Sequence, residues 1–155
     1  MNVLVGTGAA MRELGLRLAD LMRPGDLLVL TGDLGAGKTT LTQGLGEGLK
    51  VRGPVTSPTF VIARVHPSLV GGPPLVHVDA YRLGGFAEVD DLDLDAGLED
   101  AVTVVEWGEG MVEGLTEDRL EIVISRAHGD SEDRSVRFTG VGARWTSAGL
   151  DRLVG

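Results

Sequence analysis

Cysteine is absent from this chain of 155 residues. That excludes disulfides, a thiolate metal site and a cysteine nucleophile. Histidine is scarce: three residues leave little for a zinc site. Lysine occurs only at Lys38 and Lys50, against twelve arginines. No apolar run approaches the ~18–20 residues that span a bilayer. The first 22 residues place Arg12, Glu13, Arg17 and Asp20 at helical spacing rather than forming an apolar signal core. A cytosolic protein with no membrane span is expected. Basic residues are missing altogether between Arg82 and Arg119.

What is present fits one domain over residues 1–155, since single domains run to ~100–200 residues. A chain of this size hides roughly 70% of its unfolded surface and needs no staples. With 43% hydrophobic residues it is not a disordered chain. The net charge is −9, which argues against a protein that holds DNA or RNA by itself, where a basic footprint supplies most of the affinity. That charge is unevenly spread. Residues 83–118 hold twelve acids and no base, so the remainder carries 14 basic against 11 acidic residues, a net of +3.

Apolar positions at Met11, Leu14, Leu18, Leu21 and Met22 predict a helix over 10–22, with Thr7 as N-cap and Pro24-Gly25 as its stop. Leu27 to Leu30 is apolar without alternation, as in a strand buried on both faces of a parallel sheet. Leu75 to Asp79 and Val102 to Glu106 read the same way, and each ends in an acid. Residues 60–65 predict a strand, 87–98 short helices, and 147–153 a C-terminal helix. Residues 120–124 and 135–139 alternate about the turn His128-Gly129-Asp130, which predicts an antiparallel hairpin. The expected fold class is α/β, a mostly parallel sheet flanked by helices with an antiparallel part near the C-terminus. A helix over 38–49 carries Gly44, Gly46 and Gly48, each costing ~1 kcal/mol against alanine, so weakness is expected at its C-terminal end.

Gly32-Asp33-Leu34-Gly35-Ala36-Gly37-Lys38-Thr39 satisfies the phosphate-loop pattern G-x-x-x-x-G-K-[ST] in full. Its glycines let backbone N–H groups converge on phosphate oxygens, and the following helix N-terminus adds positive potential. One of only two lysines falls where a compact ammonium is needed for the β- and γ-phosphates. The Thr39 hydroxyl is then placed for Mg²⁺, and Thr40 for the α-phosphate. Asp33 either orients water or a partner's cation, or is an Asx-turn residue. In parallel sheets ligands bind at the carboxyl ends of the strands. Asp79 and Glu106 stand at such ends, where one acid would hold Mg²⁺ through water while the other ligates it or polarises the nucleophile, with a helix cap or solvated loop acid as the alternative. Spacing does not decide which acid does which.

The hydroxyls of Thr56-Ser57-Pro58-Thr59 are candidates for sensing a γ-phosphate, with a plain proline turn as the alternative. Arg82, after Tyr81, is either a charge-neutralising group or a surface arginine. Trp107 either covers the nucleotide or packs at the core edge. His77 alternates with apolar residues and is expected to pack rather than act. No guanine-type N-K-x-D motif is present, which leaves adenine as the expected base.

Taken together, G-D-L-G-A-G-K-T-T at 32–40, S-P-T-F at 57–60, H-V-D-A-Y-R at 77–82 and V-E-W at 105–107 resemble the bacterial TsaE (YjeE) family over almost the whole chain. These are small P-loop ATPases of the machinery that makes N6-threonylcarbamoyladenosine in tRNA. The resemblance implies ATP and Mg²⁺ as ligands, slow intrinsic hydrolysis, and work in a complex with the TsaB and TsaD proteins, with tRNA met only indirectly. Threonylcarbamoyl transfer itself would belong to TsaD. The resemblance also implies that Lys38 and Thr39 bind phosphate and metal. Glu106 would ligate Mg²⁺, Asp79 would take the Walker-B-like role, and Thr59 would belong to a switch-like loop. The segment at Thr7 and Gly8, with Arg134, would lie near the base. One departure is Gly108, where family members often have proline after E-W. Two other classes remain open on the residues alone: a P-loop kinase for a small molecule, and a nucleotide-dependent binding module without turnover.

Overall fold

Strand and helix patterns that alternate along the chain become one seven-stranded sheet in a computed structural model of the protein, which describes residues 2–32, 37–52, 63–79, 100–106, 118–126, 133–146 and 150. The elements are β1 (Asn2–Val5), α1 (Gly8–Ala19), β2 (Leu27–Gly32), α2 (Lys38–Leu49), β3 (Ala63–His66), β4 (Leu75–Asp79), β5 (Val102–Glu106), β6 (Arg119–Arg126), β7 (Arg134–Val141) and α3 (Ala143–Thr146). The strand order is β1-β7-β6-β2-β5-β4-β3. The four central strands, β6, β2, β5 and β4, run parallel. Both margins are antiparallel: β7 and β1 beyond β6, and β3 beyond β4. The α/β class with a parallel centre is as expected. The antiparallel part is larger than the C-terminal hairpin alone.

The unbroken apolar run of β2 is explained by its place. Parallel neighbours flank it on both edges, and Leu27 to Leu30 are buried on both faces. Leu28 and Leu30 share one face with Val102 and Val104 of β5 and Leu120, Ile122 and Ile124 of β6. Against that face pack Met11, Leu14 and Leu18 of α1, Leu41 and Leu45 of α2, and Trp145 of α3. The opposite face is also buried at its centre, at Leu27, Val29, Val78 and Val105. In the hairpin the alternation holds. Ile122 lies opposite Phe138, both buried, while Val123 and Arg137 face outward.

Helix α1 starts as expected: the Thr7 Oγ1 accepts a hydrogen bond from the Ala10 N–H at 3.0 Å. Helix α2 departs from expectation. It runs regularly to Leu49, and Gly44 and Gly48 are seats for α1. A Cβ on Gly44 would run into the Arg12 carbonyl, one on Gly15 into the Leu41 carbonyl, and one on Gly48 would stand 2.5 Å from the Ala19 Cβ. Glycine therefore permits an approach that side chains would block. The end of α2 is closed by Lys50 in the left-handed region (φ 58°), with the Val51 N–H donating to the Gly46 carbonyl. That is a Schellman arrangement, normally built on glycine. Beyond it, the Arg52 N–H donates to the Pro67 carbonyl at 2.7 Å, which ties the exit of α2 to the loop after β3.

Two elements were not foreseen. β1 is a four-residue edge strand whose Leu4 is 71% exposed, too short and too open to show a pattern. α3 is a single turn, placed just ahead of the expected C-terminal helix. That helix over 147–153 falls, apart from Leu150, outside the described residues, as do the strand residues 60–62, the helices over 87–98 and the turn at 128–130.

Candidate functional site

The carboxyl ends of the parallel strands carry the residues that the motifs picked out. β2 ends at Gly32 and α2 begins at Lys38, so the chain turns from strand to helix across the phosphate-loop pattern. Gly37 is the N-cap of α2 and has φ +109°, a conformation that side chains rarely adopt. No side chain caps this helix, and its first turn carries no acid. The amides of that turn have no intrahelical acceptor, and the helix dipole makes the end positive, which suits an anion.

Lys38 is buried, and its Nζ donates to the Gly32 carbonyl at 2.5 Å. The ammonium therefore bridges the two ends of the loop. Thr39 and Thr40 follow it, half-buried, on the first turn of α2. The Thr42 hydroxyl donates to the Lys38 carbonyl at 2.8 Å and so ties its own side chain back into the helix.

Glu106 closes β5. It lies beside Leu30 of β2 on one side and Asp79 of β4 on the other. Both sequence-predicted acids thus occupy matching register positions at the end where the phosphate loop starts. Glu106 is 3% exposed, and its Oε1 has no hydrogen-bond partner among the described residues. A buried carboxylate oxygen left without a hydrogen bond is destabilising. An orphaned oxygen at this place fits a divalent cation or its water. The described residues hold no group of three or more possible metal ligands. Mg²⁺ does not require one, because it takes one or two carboxylates and fills its remaining positions with phosphate oxygens and water.

The expected base-side residues converge from other elements. β1 pairs with β7 so that Val5 lies opposite Arg134. Gly8 opens α1 three residues later, and a Cβ placed on it would meet nothing within 4 Å. Arg134 is half-buried and donates from Nη1 to the Asp133 carbonyl at 3.2 Å. The first turn of α1 also touches the phosphate loop: a Cβ on Gly37 would stand 3.1 Å from the Met11 Cε. The fold therefore places Gly8, Gly37, Lys38 and Arg134 toward the carboxyl end of the parallel strands, Gly8 by way of a strand, β1, that the sequence pattern did not reveal.

Asp33, Leu34, Gly35, Ala36 and Thr59 lie outside the described residues, as do Tyr81, Arg82 and Trp107. His77, expected to pack, is fully buried, but beside Glu106 rather than among apolar groups alone. At the opposite end of β2, Asp26 accepts from the Arg144 guanidinium at 3.0 Å on each carboxylate oxygen and from the Arg23 N–H at 2.7 Å. That pair is 118 residues apart in sequence, and no local pattern announces it.

Comparison with known proteins places almost the whole chain beside one family. A family model described as "Threonylcarbamoyl adenosine biosynthesis protein TsaE" matches residues 5–136. The tRNA threonylcarbamoyladenosine biosynthesis protein TsaE of Streptomyces coelicolor is 69% identical over 148 residues, covering 94% of this chain and 100% of the relative. The protein of the same name from Mycobacterium bovis is 50% identical over 126 residues, 76% of this chain and 75% of its own. The crystal structure of Bacillus subtilis YdiB superimposes with a TM-score of 0.77 at 34% identity, covering 98% of this chain and 93% of that one. This chain belongs to the TsaE family of threonylcarbamoyl adenosine biosynthesis proteins.

Proposed function

We propose that the chain is a cytoplasmic, single-domain ATPase that binds ATP with Mg²⁺ and hydrolyses it slowly in the service of tRNA threonylcarbamoyladenosine formation at position 37, within a complex with TsaB and TsaD. The observation that carries this is the placement of Lys38, whose Nζ donates to the Gly32 carbonyl at the end of β2, beside the buried Glu106 in register with the same strand.

Each residue has a separate task. The amides at the start of α2 bind phosphate oxygens, with those of Asp33, Leu34, Gly35, Ala36 and Gly37 completing the cradle. Lys38 takes the β- and γ-phosphates as a point charge. Thr39 and Glu106 would hold Mg²⁺, which when bound neutralises charge on the phosphate oxygens. Asp79 and Thr59 are assigned to the attacking water and the γ-phosphate, so that ATP and water give ADP and phosphate. Gly8 and Arg134 border the place of the adenine, and Thr40 that of the α-phosphate. The acidic balance gives the chain no footprint for tRNA, so contact with tRNA runs through its partners.

Reconstitution with TsaB, TsaD, tRNA, threonylcarbamoyl donor and ATP tests this. Modification should require the chain, and Lys38→Ala should abolish its contribution while the circular dichroism of the fold is kept. Full modification with Lys38→Ala would overturn the assignment. A phosphorylated small molecule appearing in place of free phosphate would instead make the chain a kinase.

A further inference from the structure

His77 has no task in the function proposed above, yet its placement is unusual. β4 is parallel to β5, with His77 opposite Val104 and Asp79 opposite Glu106. His77 therefore shares a sheet face with Glu106, one step diagonal to it. Its other neighbours on that face, Leu75, Val102, Val104, Leu28 and Leu30, are apolar core residues. The imidazole is 0% exposed, and neither ring nitrogen has a hydrogen-bond partner among the described residues. Among the described residues, the Glu106 Oε1 stands 3.6 Å from His77 Nε2 and has no hydrogen-bond partner.

An unsatisfied buried polar group is destabilising, and an apolar side chain at position 77 would avoid that cost. A donor and an acceptor, each orphaned and each the other's complement, stand about 0.8 Å beyond the ~2.8 Å of a charge-assisted hydrogen bond. A rotation of either side chain that shortens the separation by that amount would complete the bond. Carboxylates that bind metals are usually themselves held by such an outer partner, and losing it typically costs ~10–100-fold in metal affinity or activity.

We propose that His77 is the positioning residue for Glu106: its Nε2–H donates to Oε1 and fixes the orientation in which the carboxylate meets a divalent cation. This rests on the functional reading given above. His77 does not touch substrate or metal. It sets the Mg²⁺ requirement of the site through Glu106.

The test compares wild type, His77→Leu and His77→Gln, the glutamine keeping an N–H donor near the place of Nε2. Binding of a fluorescent ATP analogue is measured without metal and then across a Mg²⁺ titration. His77→Leu should raise the half-saturating Mg²⁺ concentration ~10-fold or more with metal-free nucleotide affinity unchanged, and His77→Gln should recover most of that loss. A half-point within about twofold of wild type for His77→Leu would overturn the proposal, as would equal loss of nucleotide affinity with and without metal. The imidazole nitrogen NMR spectrum of the wild-type chain decides independently of any variant. The proton must sit on Nε2, and a proton on Nδ1 with Nε2 bare overturns the proposal even where His77→Leu does not fold. A wild-type chain that binds no ATP overturns the functional reading instead, and the tautomer alone then judges His77.

Discussion

Lys50 illustrates what a single residue's conformation says that its chemistry does not. As a residue type it is an ordinary exposed lysine, and nothing around it in sequence marks it as special. In the fold it is the only non-glycine residue with positive φ among those described. The left-handed region costs a side-chain-bearing residue ~1–2 kcal/mol, and a glycine there would itself lose ~0.5–1 kcal/mol through the entropy of the unfolded chain. The difference leaves Lys50→Gly stabilising by about 0.5–1 kcal/mol. The backbone bonds at this corner, Leu69 N–H to the Lys50 carbonyl among them, survive the change. Urea unfolding should show a higher midpoint with an unchanged slope. A lowered midpoint would mean that the lysine side chain contributes something its exposure does not reveal. At the same scale, the places of Lys38 at the start of a helix and of Glu106 at the end of a strand were legible, because a loop pattern marks the one and an apolar run ending in an acid marks the other. His77 was only half legible. Alternation placed it in the core, but its neighbour there comes from another strand, and a single strand's pattern carries no information about cross-strand company.

Elements fail to be legible when their signal is short or is addressed to another element. β1 shows only two inward positions, Val3 and Val5, which is too few to distinguish a strand from a tail. The glycines of α2 carry a strong signal that points the wrong way when the helix is read alone. Intrinsic propensity predicts a gain of ~1 kcal/mol for each glycine replaced by alanine. The helix pair reverses that sign. At Gly44 the added methyl would meet the carbonyl oxygen and the main chain of Arg12, none of which can swing aside as the tip of a side chain would. Overpacking of this kind typically costs ~1–3 kcal/mol, and here the backbone of α1 must shift. Gly44→Ala should therefore be destabilising by about 1–2 kcal/mol, read as a lower denaturant midpoint or melting temperature. An increase in stability would show that α1 and α2 lie further apart than described. The exposed ion pair Arg12–Glu47, at 2.7 Å, bridges the same two helices but contributes little by comparison.

For the whole molecule, the sheet separates two kinds of work. Its carboxyl end carries Gly32, Lys38 and Glu106, with Gly8 and Arg134 toward the same end. Its amino end carries a structural clasp: Arg144, on the last described helix, reaches across to Asp26 at the start of β2 and donates to the Leu21 carbonyl at 2.5 Å, with its guanidinium 4.5 Å from the Trp145 ring. The fold class was legible because each buried strand announces itself locally. The clasp was not, because two residues so far apart in sequence share no pattern. Its consequence is global. Asp26 is 4% exposed at its side chain and Arg144 14%, so removing the guanidinium leaves a buried carboxylate with only the Arg23 N–H. Breaking a buried pair from one side costs ~3–5 kcal/mol, and the partial exposure of Arg144 points to the lower part of that range. Arg144→Ala should therefore unfold at markedly lower urea. Because the clasp sits at the end of β2 remote from the phosphate loop, the folded fraction should bind ATP as wild type does. The double variant Asp26→Asn/Arg144→Ala should recover part of the loss, since the orphaned charge is then gone. Equal stability of the single and double variants would show that the packing of the guanidinium on Trp145, and not its pairing with Asp26, is what the clasp supplies.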